Sequence, residues 1–250
     1  GISGTFGALR SAAQVYAPGH IVWELDAPSE VRTSHGFSVS TTWKSLQSSI
    51  AAKLKGVERA SMVIEGSRAS VVSATNTQPF DITTDRTEIH LRQNGDDLDA
   101  AISLDGTSTT AEGMAELLPK LNALVDVTLA GRAGMIDGSD PNGTALYNTK
   151  GELRSLKADL GEGRVATISG PFSFDDEGRM SGKLKLRVEK IDAWQQSLGE
   201  VFPDLASTIK TAANMLAALG GGENASLDIT IRRGKVLAGG LIQIGEIPRI

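Results

Sequence analysis

Three histidines are the first residues of this sequence that could bind a metal or transfer a proton near neutral pH. His20 follows a Pro-Gly pair, His35 precedes a glycine, and His90 lies between Ile89 and Leu91. A zinc site needs such ligands to converge with one another or with carboxylates. Because the three histidines fall on separate predicted elements, we expect solvated imidazoles and no metal site.

Two runs of neighbouring carboxylates could supply the acid and the base of glycoside hydrolysis. They are Asp96-Asp97 and Asp175-Asp176-Glu177, and each lies beside a glycine in a predicted hairpin turn. Turns favour acidic residues because their side chains accept hydrogen bonds from the nearby backbone. A pair that converges from two loops stays open as an alternative, but the pattern favours ordinary turns.

Other motifs of enzyme or ion sites are incomplete. The segment 137–143 has the composition of a calcium loop but lacks the acidic spacing and final glutamate of an EF-hand. The glycines 220–222 follow a predicted helix, whereas phosphate-binding glycines precede one. The sequence has no Gly-x-Ser-x-Gly elbow and no cysteine, which excludes thiol nucleophiles, thiolate zinc sites and disulfides. We therefore expect no enzyme, no metal and no cofactor.

Composition fits a folded protein of one large or two smaller β domains. The 250 residues are 40% hydrophobic and 22% charged, and aromatics make up 4%, so aliphatic side chains must fill most of the core. The net charge of −5 and the lack of a basic patch interleaved with aromatics argue against a nucleic-acid partner. The basic residues in 183–187 and 232–233 are interpreted as solvent-facing side chains of strands.

Alternating apolar and polar residues predict β-strands through the first half of the chain. The stretch 46–54 fits a short helix or a strand, and we favour a strand. Asn94-Gly95 is typical of a hairpin turn because both residues tolerate positive φ. The predicted elements are strands 14–16, 21–25 (after a tight turn at 17–20), 37–43, 46–54, 57–65, 68–74, 87–92, 98–104 and 124–130, and a helix over 110–121 capped by Thr110.

The second half repeats this theme after a polar loop at 131–150. An order of strand, turn, strand, helix, strand occurs in 87–130 and again, with a longer helical region, in 165–232. Pro203 suits a first helical turn, and the glycines at 220–222 suit a helix end. The predicted elements are strands 151–160, 165–174, 180–188, 225–232 and 235–244, with the helical region at 189–219.

The predicted fold class is mainly β (α+β). We expect a long curved antiparallel sheet or half-barrel built from repeated hairpins, with two or three covering helices. The expected organisation is an N-terminal half at 1–130, the loop at 131–150 and a C-terminal half at 151–250 with its helical insertion at 189–219, all in one continuous domain. No apolar run reaches the roughly 20 residues of a membrane-spanning helix.

The helical region carries the most conspicuous apolar stripe. Such a stripe packs against the sheet, forms a movable lid over an apolar cleft, or binds a partner. We expect a groove for a hydrophobic ligand here, lined together with a tryptophan from the first half. The candidate groove residues are Trp43, Trp194, Leu198, Leu205, Ile209, Leu216 and Leu219.

Two stretches and one strand carry a family resemblance. Residues 234–237 followed by 241–248 resemble the closing motif of the alphaproteobacterial domain-of-unknown-function family 2125, as do 16–22 and the strand that holds Trp43. The ending Pro248-Arg249-Ile250 departs from the usual Pro-Pro-Leu. The resemblance implies an envelope protein facing the periplasm, tethered to the inner membrane by an anchor upstream of residue 1. The hairpin-rich style is also similar to the AsmA-like lipid-transport proteins, whose long curved sheets have an apolar concave face.

These observations lead to two main hypotheses. The first is a non-enzymatic periplasmic protein that holds a lipid or other hydrophobic ligand in an apolar groove of its sheet. The second is an envelope scaffold or assembly factor that acts through contacts with a protein partner. An enzyme with a converging carboxylate pair is the third and least favoured.

Overall fold

The computed structural model describes residues 2–33, 37–54, 56–72, 80–111, 119–141, 143 and 145–250. Strands dominate these residues, and two α-helices lie near the C-terminal end of the chain. The strands are β1 Ile2–Thr5, β2 Leu9–Gln14, β3 Ala17–Leu25, β4 Ser29–Thr33, β5 Ser38–Thr42, β6 Ser45–Lys53, β7 Gly56–Val72, β8 Phe80–Asn94, β9 Asp97–Ala111, β10 Leu121–Leu129, β11 Lys150–Asp159, β12 Val165–Phe174, β13 Met180–Val188, β14 Ala225–Arg232, β15 Lys235–Ala238 and β16 Ile242–Glu246. The α-helices are α1 Ile191–Val201 and α2 Ala206–Gly220, and short 3-10 helices occupy Ala133–Ile136 and Pro203–Leu205.

Hydrogen bonds join the described strands into one open antiparallel sheet. The order along its main path is β1-β4-β5-β7-β8-β9-β10-β11-β12-β13-β14-β15-β16, and β2, β3 and β6 pair beside β7. The predicted class, mainly β with an antiparallel sheet, is confirmed. Its construction from repeated hairpins and its half-barrel curvature stay predictions.

Two compact units divide the chain. Unit 1 comprises Gly1–His90 and Ile102–Asn122, and unit 2 comprises Leu91–Ala101 and Ala123–Ile250. The boundary between them falls within β8 and β9, which contribute residues to both units. The division predicted at 131–150 stays a prediction.

The tight turn predicted at 17–20 is wrong. The chain reverses at Val15-Tyr16, and Pro18 and Gly19 lie inside β3. The pairing of β2 with β3 shifts here, from Ala13↔Ile21 to Gln14↔Ala17, so the Pro-Gly pair forms a bulge. Pro18 tolerates this position because a bulged residue need not donate to the ladder.

The break predicted between 65 and 68 is also wrong, because β7 runs through it. Gly66 adopts a φ of 57° inside the strand, where β7 exchanges its partner β6 for β5. This φ favours glycine because other residues are strained there, and an added Cβ would also lie 2.7 Å from the flexible side chain of Lys44. Gly66 therefore kinks one long strand and does not separate two strands.

Two further boundaries differ from the predicted ones. Most of the helix predicted at 110–121 lies outside the described residues, but Thr110 belongs to β9 and Leu121 to β10, so Thr110 caps no helix. The strand predicted at 235–244 is two strands, because Gly239 and Gly240 both take positive φ and turn the chain. By contrast, the strand favoured at 46–54 is confirmed as β6.

Alternation gives the C-terminal strands of unit 2 one apolar and one polar face. On the apolar face, Leu184 and Ile229 are paired and buried, and Ile231 lies beside them. At the far end of the same face, Val188, Ala225 and the first residue of α1, Ile191, form a second buried cluster. The helices therefore cover one end of the apolar face.

Candidate functional site

The seam between the helices and the apolar face is the candidate site of unit 2. Trp194 of α1 and Leu216 of α2 both pack against the cluster of Val188, Ile191 and Ala225. Their side chains are half-buried, so each is in contact with the cluster and with solvent. Two of the predicted groove residues are thus brought together on one patch of the sheet.

Helix α2 buries less of its apolar surface than an amphipathic helix normally does. Ile191 is 2% exposed and anchors α1, whereas none of the residues of α2 is buried. Leu219 of α2 is 45% exposed, and Phe202 and Leu205, which precede α2, are 44% and 53% exposed. An amphipathic helix normally buries its apolar stripe against the core, so α2 retains apolar surface that could contact a ligand or a partner.

The remaining predicted groove residues are distributed around this seam and beyond it. Leu198 and Ile209 are half-buried, while Leu205 and Leu219 are exposed. Trp43 belongs to unit 1, where its indole Nε1 donates a hydrogen bond of 2.8 Å to the carbonyl oxygen of Leu25. That bond gives Trp43 a local structural role. The assignment of all seven residues to one groove stays a prediction.

The indole of Trp194 contains an unpaired donor. Its Nε1 is buried and has no hydrogen-bond acceptor among the described residues. Tryptophan N–H groups normally find a partner when buried, because an unpaired donor loses its hydration without compensation. The donor therefore marks a point in the seam where an oxygen atom of a ligand could accept a hydrogen bond.

The polar face of unit 2 carries a network of charges around Asp99. This carboxylate is 8% exposed and accepts hydrogen bonds from Arg92 Nη2 (2.7 Å), Thr128 Oγ1 (2.7 Å) and Arg154 Nη1 (3.0 Å). The bond from Arg92, assisted by those from Thr128 and Arg154, holds the pKa of Asp99 well below its usual range. Arg154 also bonds to Asp126, which raises the pKa of the guanidinium. A carboxylate that accepts three hydrogen bonds and has a lowered pKa is a weak proton acceptor.

The two acidic runs behave as turn residues. Asp175 Oδ1 accepts hydrogen bonds from the backbone N–H groups of Arg179 and Glu177, which lower the pKa of Asp175. Asp97 Oδ1 accepts one from the N–H of Gly131. The run 175–177 occupies a hairpin turn, as the sequence predicted, whereas in the other run Asp96 lies in the turn and Asp97 begins β9.

The histidines and the 131–150 loop show no ion site in the described part of the chain. His90 contacts Ser61 Oγ at 3.1 Å and Glu88 Oε2 at 2.9 Å, and His35 lies outside the described residues. In the loop, Asp140 pairs at 3.0 Å with Arg132, both almost fully buried. Among the described residues, no group of three or more histidine, aspartate and glutamate side chains could hold a metal. None of the described helices has the length and apolarity to cross a bilayer.

Fold and seam together define a protein with an open antiparallel sheet that carries a helix pair on one face of its C-terminal unit. A family model described as an uncharacterized protein conserved in bacteria matches residues 1–248. The chain therefore belongs to this family, domain-of-unknown-function family 2125. No curated protein and no solved structure matches the chain.

Proposed function

We propose that the protein is a non-enzymatic binding protein that holds a lipid or other hydrophobic ligand in unit 2, between helices α1 and α2 and the apolar sheet face. One observation carries the proposal. Helix α2 has an apolar stripe without a single buried residue, and its Leu216 packs on the same cluster as Trp194, whose indole donor is unpaired. An acyl chain against the stripe and an ester or carboxyl oxygen at the indole would satisfy both features.

In this proposal α2 is the mobile part. Its contacts with the sheet are made through half-buried side chains such as Leu216, whereas α1 is fixed by Ile191. The glycine at 221, with a φ of 101°, ends α2 and connects it to β14. Small displacements of α2 would widen the seam without disturbing the strands, because few fully buried contacts need to break.

The proposal also places the protein in the periplasm, tethered to the inner membrane. Support comes from the resemblance of the sequence to envelope proteins and, by fold-level analogy, to the AsmA-like lipid-transport group. Alkaline phosphatase fused to the full-length protein in its native bacterium reports this location, because the enzyme is active only after export. An inactive fusion at normal protein levels would contradict the periplasmic location.

Quenching of tryptophan fluorescence by a brominated fatty acid tests the seam directly. The chain has three tryptophans, Trp23, Trp43 and Trp194. We expect the bound acyl chain to quench Trp194, so that Trp194→Phe removes most of the quenching. Trp43→Phe is the matched control and should retain it, because Trp43 belongs to unit 1.

Organic extraction and native mass spectrometry of the purified protein should accompany this titration. A co-purified lipid together with quenching at Trp194 is the expected result. An absence of both lipid and quenching would refute ligand binding, and quenching that disappears in Trp43→Phe would refute the seam as its location.

A protein partner is the second candidate, favoured by the same exposed side chains. Phe202, Leu205 and Leu219 together could form a contact strip of an envelope scaffold or assembly factor. Affinity purification from envelope extracts, compared with Leu205→Ser/Leu219→Ser, separates the two candidates. A stoichiometric partner lost in the double variant supports the scaffold, while recovery of no such partner counts against it.

A further inference from the structure

A shallow groove crosses four strands of unit 2. Its lining includes one row of residues whose side chains belong to the apolar face, Gly151, Phe172, Gly182 and Ile231, and residues on either side of that row whose side chains point to the polar face. Its volume is about 530 Å³, and its residues come from β11, β12, β13 and β14. Lys150 pairs with Ser173, which pairs with Ser181, and these three residues form one wall of the groove. Lys183, paired with Thr230, contributes to the other wall. Since neighbouring residues of a strand point to opposite faces, these side chains all lie on the face away from α1 and α2.

Three cations and three hydroxyls line this groove. The cations are Lys150, Lys183 and Arg232, and the hydroxyls belong to Ser173, Ser181 and Thr230. Within the described ranges, none of the three cations forms an ion pair, and no carboxylate lines the groove. In the neighbouring charge network, by contrast, Arg154 is paired with both Asp99 and Asp126.

The spacing of the cations suits one anion of moderate size. Lys183 lies on β13, with Arg232 on the adjacent β14 and Lys150 two strands away on β11. At about 4.8 Å between strands and about 3.4 Å per residue along them, the attachment points lie roughly 8 to 14 Å apart. Long Lys and Arg stems can direct their charged ends to a common point between such positions.

The charge of this groove contrasts with that of the whole chain, whose net charge is −5. Along β13, Lys183, Lys185 and Arg187 all point to the polar face, and Asp228 pairs with Lys185 at 3.3 Å. Glu152 lies on the same face of β11 but is not among the lining residues. Cations that are close together without counter-charges repel one another, and a bound anion relieves that repulsion.

We propose that this groove binds phosphate-bearing anions. Lys150, Lys183 and Arg232 supply the charge, and the hydroxyls donate hydrogen bonds to the phosphate oxygens. Ser181 Oγ already accepts a hydrogen bond of 3.0 Å from the N–H of Arg233, which leaves its own proton available for donation. Phosphate has several acceptor oxygens and suits such a mixed set of donors. The cations and hydroxyls point away from the face that carries the helix seam, so this proposal is independent of the proposed lipid site.

Lipid headgroups and soluble phosphates share this chemistry, and two binding experiments distinguish them. The first is co-sedimentation of the full chain with vesicles of phosphatidylcholine, with and without phosphatidylglycerol. The second is calorimetric titration with inorganic pyrophosphate. Both use wild type and the triple variant Lys150→Gln/Lys183→Gln/Arg232→Gln, whose substituted side chains are solvent-exposed.

A matched control removes the same charge elsewhere, with Lys44→Gln/Lys210→Gln/Arg249→Gln, which are also exposed. We expect the affinity of the groove variant to fall on the order of a hundredfold, because it loses three cations that would each attract the anion. The affinity of the control variant should change little. Equal circular dichroism melting curves show that both variants are folded. Loss of vesicle binding in the groove variant identifies a lipid headgroup as the source of the phosphate, and loss of pyrophosphate binding identifies a soluble phosphate. Binding in neither experiment, or equal losses in the two triple variants, would overturn the proposal.

Discussion

Replacing Asp99 by asparagine tests the charge network of unit 2 most directly. The substitution keeps the shape of the side chain but removes its charge. Asp99 is 8% exposed and accepts hydrogen bonds from Arg92, Thr128 and Arg154. The amide retains one acceptor oxygen and introduces a donor group that faces the same donors. At least one good hydrogen bond is therefore lost.

The expected cost is about 2 kcal/mol of the free energy of unfolding. Each hydrogen bond to a charged group contributes about 1.5 to 3 kcal/mol in favourable cases. The cost lies in the lower part of this range, because Arg92 and Arg154 are 64% and 39% exposed. Water can solvate both guanidinium groups after Asp99 has lost its charge. A loss of that size lowers the melting temperature by roughly 4 to 8 °C for a protein of this length.

The lowered pKa of Asp99 determines how the stability difference between wild type and Asp99→Asn changes with pH. Arg92, with Thr128 and Arg154, keeps the pKa of Asp99 lower in the folded than in the unfolded chain. Such a carboxyl group stabilises the fold above its unfolded pKa, near 4, and loses that contribution as the pH falls through its folded pKa. The difference between wild type and Asp99→Asn should therefore be full at neutral pH and decrease below about pH 4.

Urea unfolding of wild type and Asp99→Asn, followed by circular dichroism from neutral to acidic pH, measures this difference. Asp176→Asn is the matched control, because Asp176 is an exposed turn carboxylate. Equal midpoints for wild type and Asp99→Asn at neutral pH would refute the assigned contribution of the network. A difference that persists undiminished in strong acid would refute its electrostatic origin.

The other two predictions concern the buried ion pair and a glycine of β12. Arg132→Leu removes the cation that pairs with Asp140; the side chains of this pair are only 5% and 4% exposed. Because Asp140 is then a buried charge without this partner, the free energy of unfolding should fall by about 3 kcal/mol, and proteases should cut within 131–149. Unchanged proteolysis would contradict this, and Arg132→Leu/Asp140→Leu should recover part of the loss. Gly170→Ala should destabilise by about 2 kcal/mol or more, because Gly170 has a φ of 135° and the new Cβ would lie 2.4 Å from the carbonyl oxygen of Lys183. Gly138→Ala, at a φ of 77° with open space around it, should cost about 1 kcal/mol, and equal urea midpoints for the two glycine variants would contradict the steric argument.

Local sequence signals were sufficient for much of unit 2. The predicted bounds of β12, β13 and β14 agree with the structure, because strict alternation is closed at each end by Gly-rich or acidic turns. The turn at Asp175 is held by its own side chain, so its signal is complete within a few residues. Where the physics of an element is local, the sequence predicts it well.

Two failures, at 17–20 and at 65–68, occur where a glycine lies at a bulge or a kink within a strand. Gly19 lies so close to the carbonyl oxygen of Ala52 that an added Cβ would be 2.1 Å away, and Gly66 faces Lys44. The sequence pattern predicts a tight turn at Gly19, where glycine is common, and two separate strands on either side of Gly66. The identity of the partner strand distinguishes a bulge or kink from a turn, and pairing between distant strands is not readable from a local window.

The candidate sites divide in the same way. The helical stripe predicted Trp194 and Leu216, which meet on one cluster, because both lie on amphipathic helices with a clear period. The basic groove was missed, although the exposure expected for 183–187 was correct. Lys150, Lys183 and Arg232 become neighbours through the register of four strands. The alternation of Lys183, Lys185 and Arg187 along β13 is a local sequence signal of this basic surface.

The exchange of partners along β7 also bears on the order of folding. Its first part faces β6 across a short connection at Leu54, so that hairpin closes a small loop and can form within microseconds. The last part of β7 pairs with β5, and Thr42 lies opposite Arg68. This pairing closes a longer loop, which contains all of β6. Loop-closure entropy rises with length, so the β6–β7 hairpin should form first and present a template edge. The late-joining β5, and through it β4 and β1, would then inherit their register from the kink at Gly66.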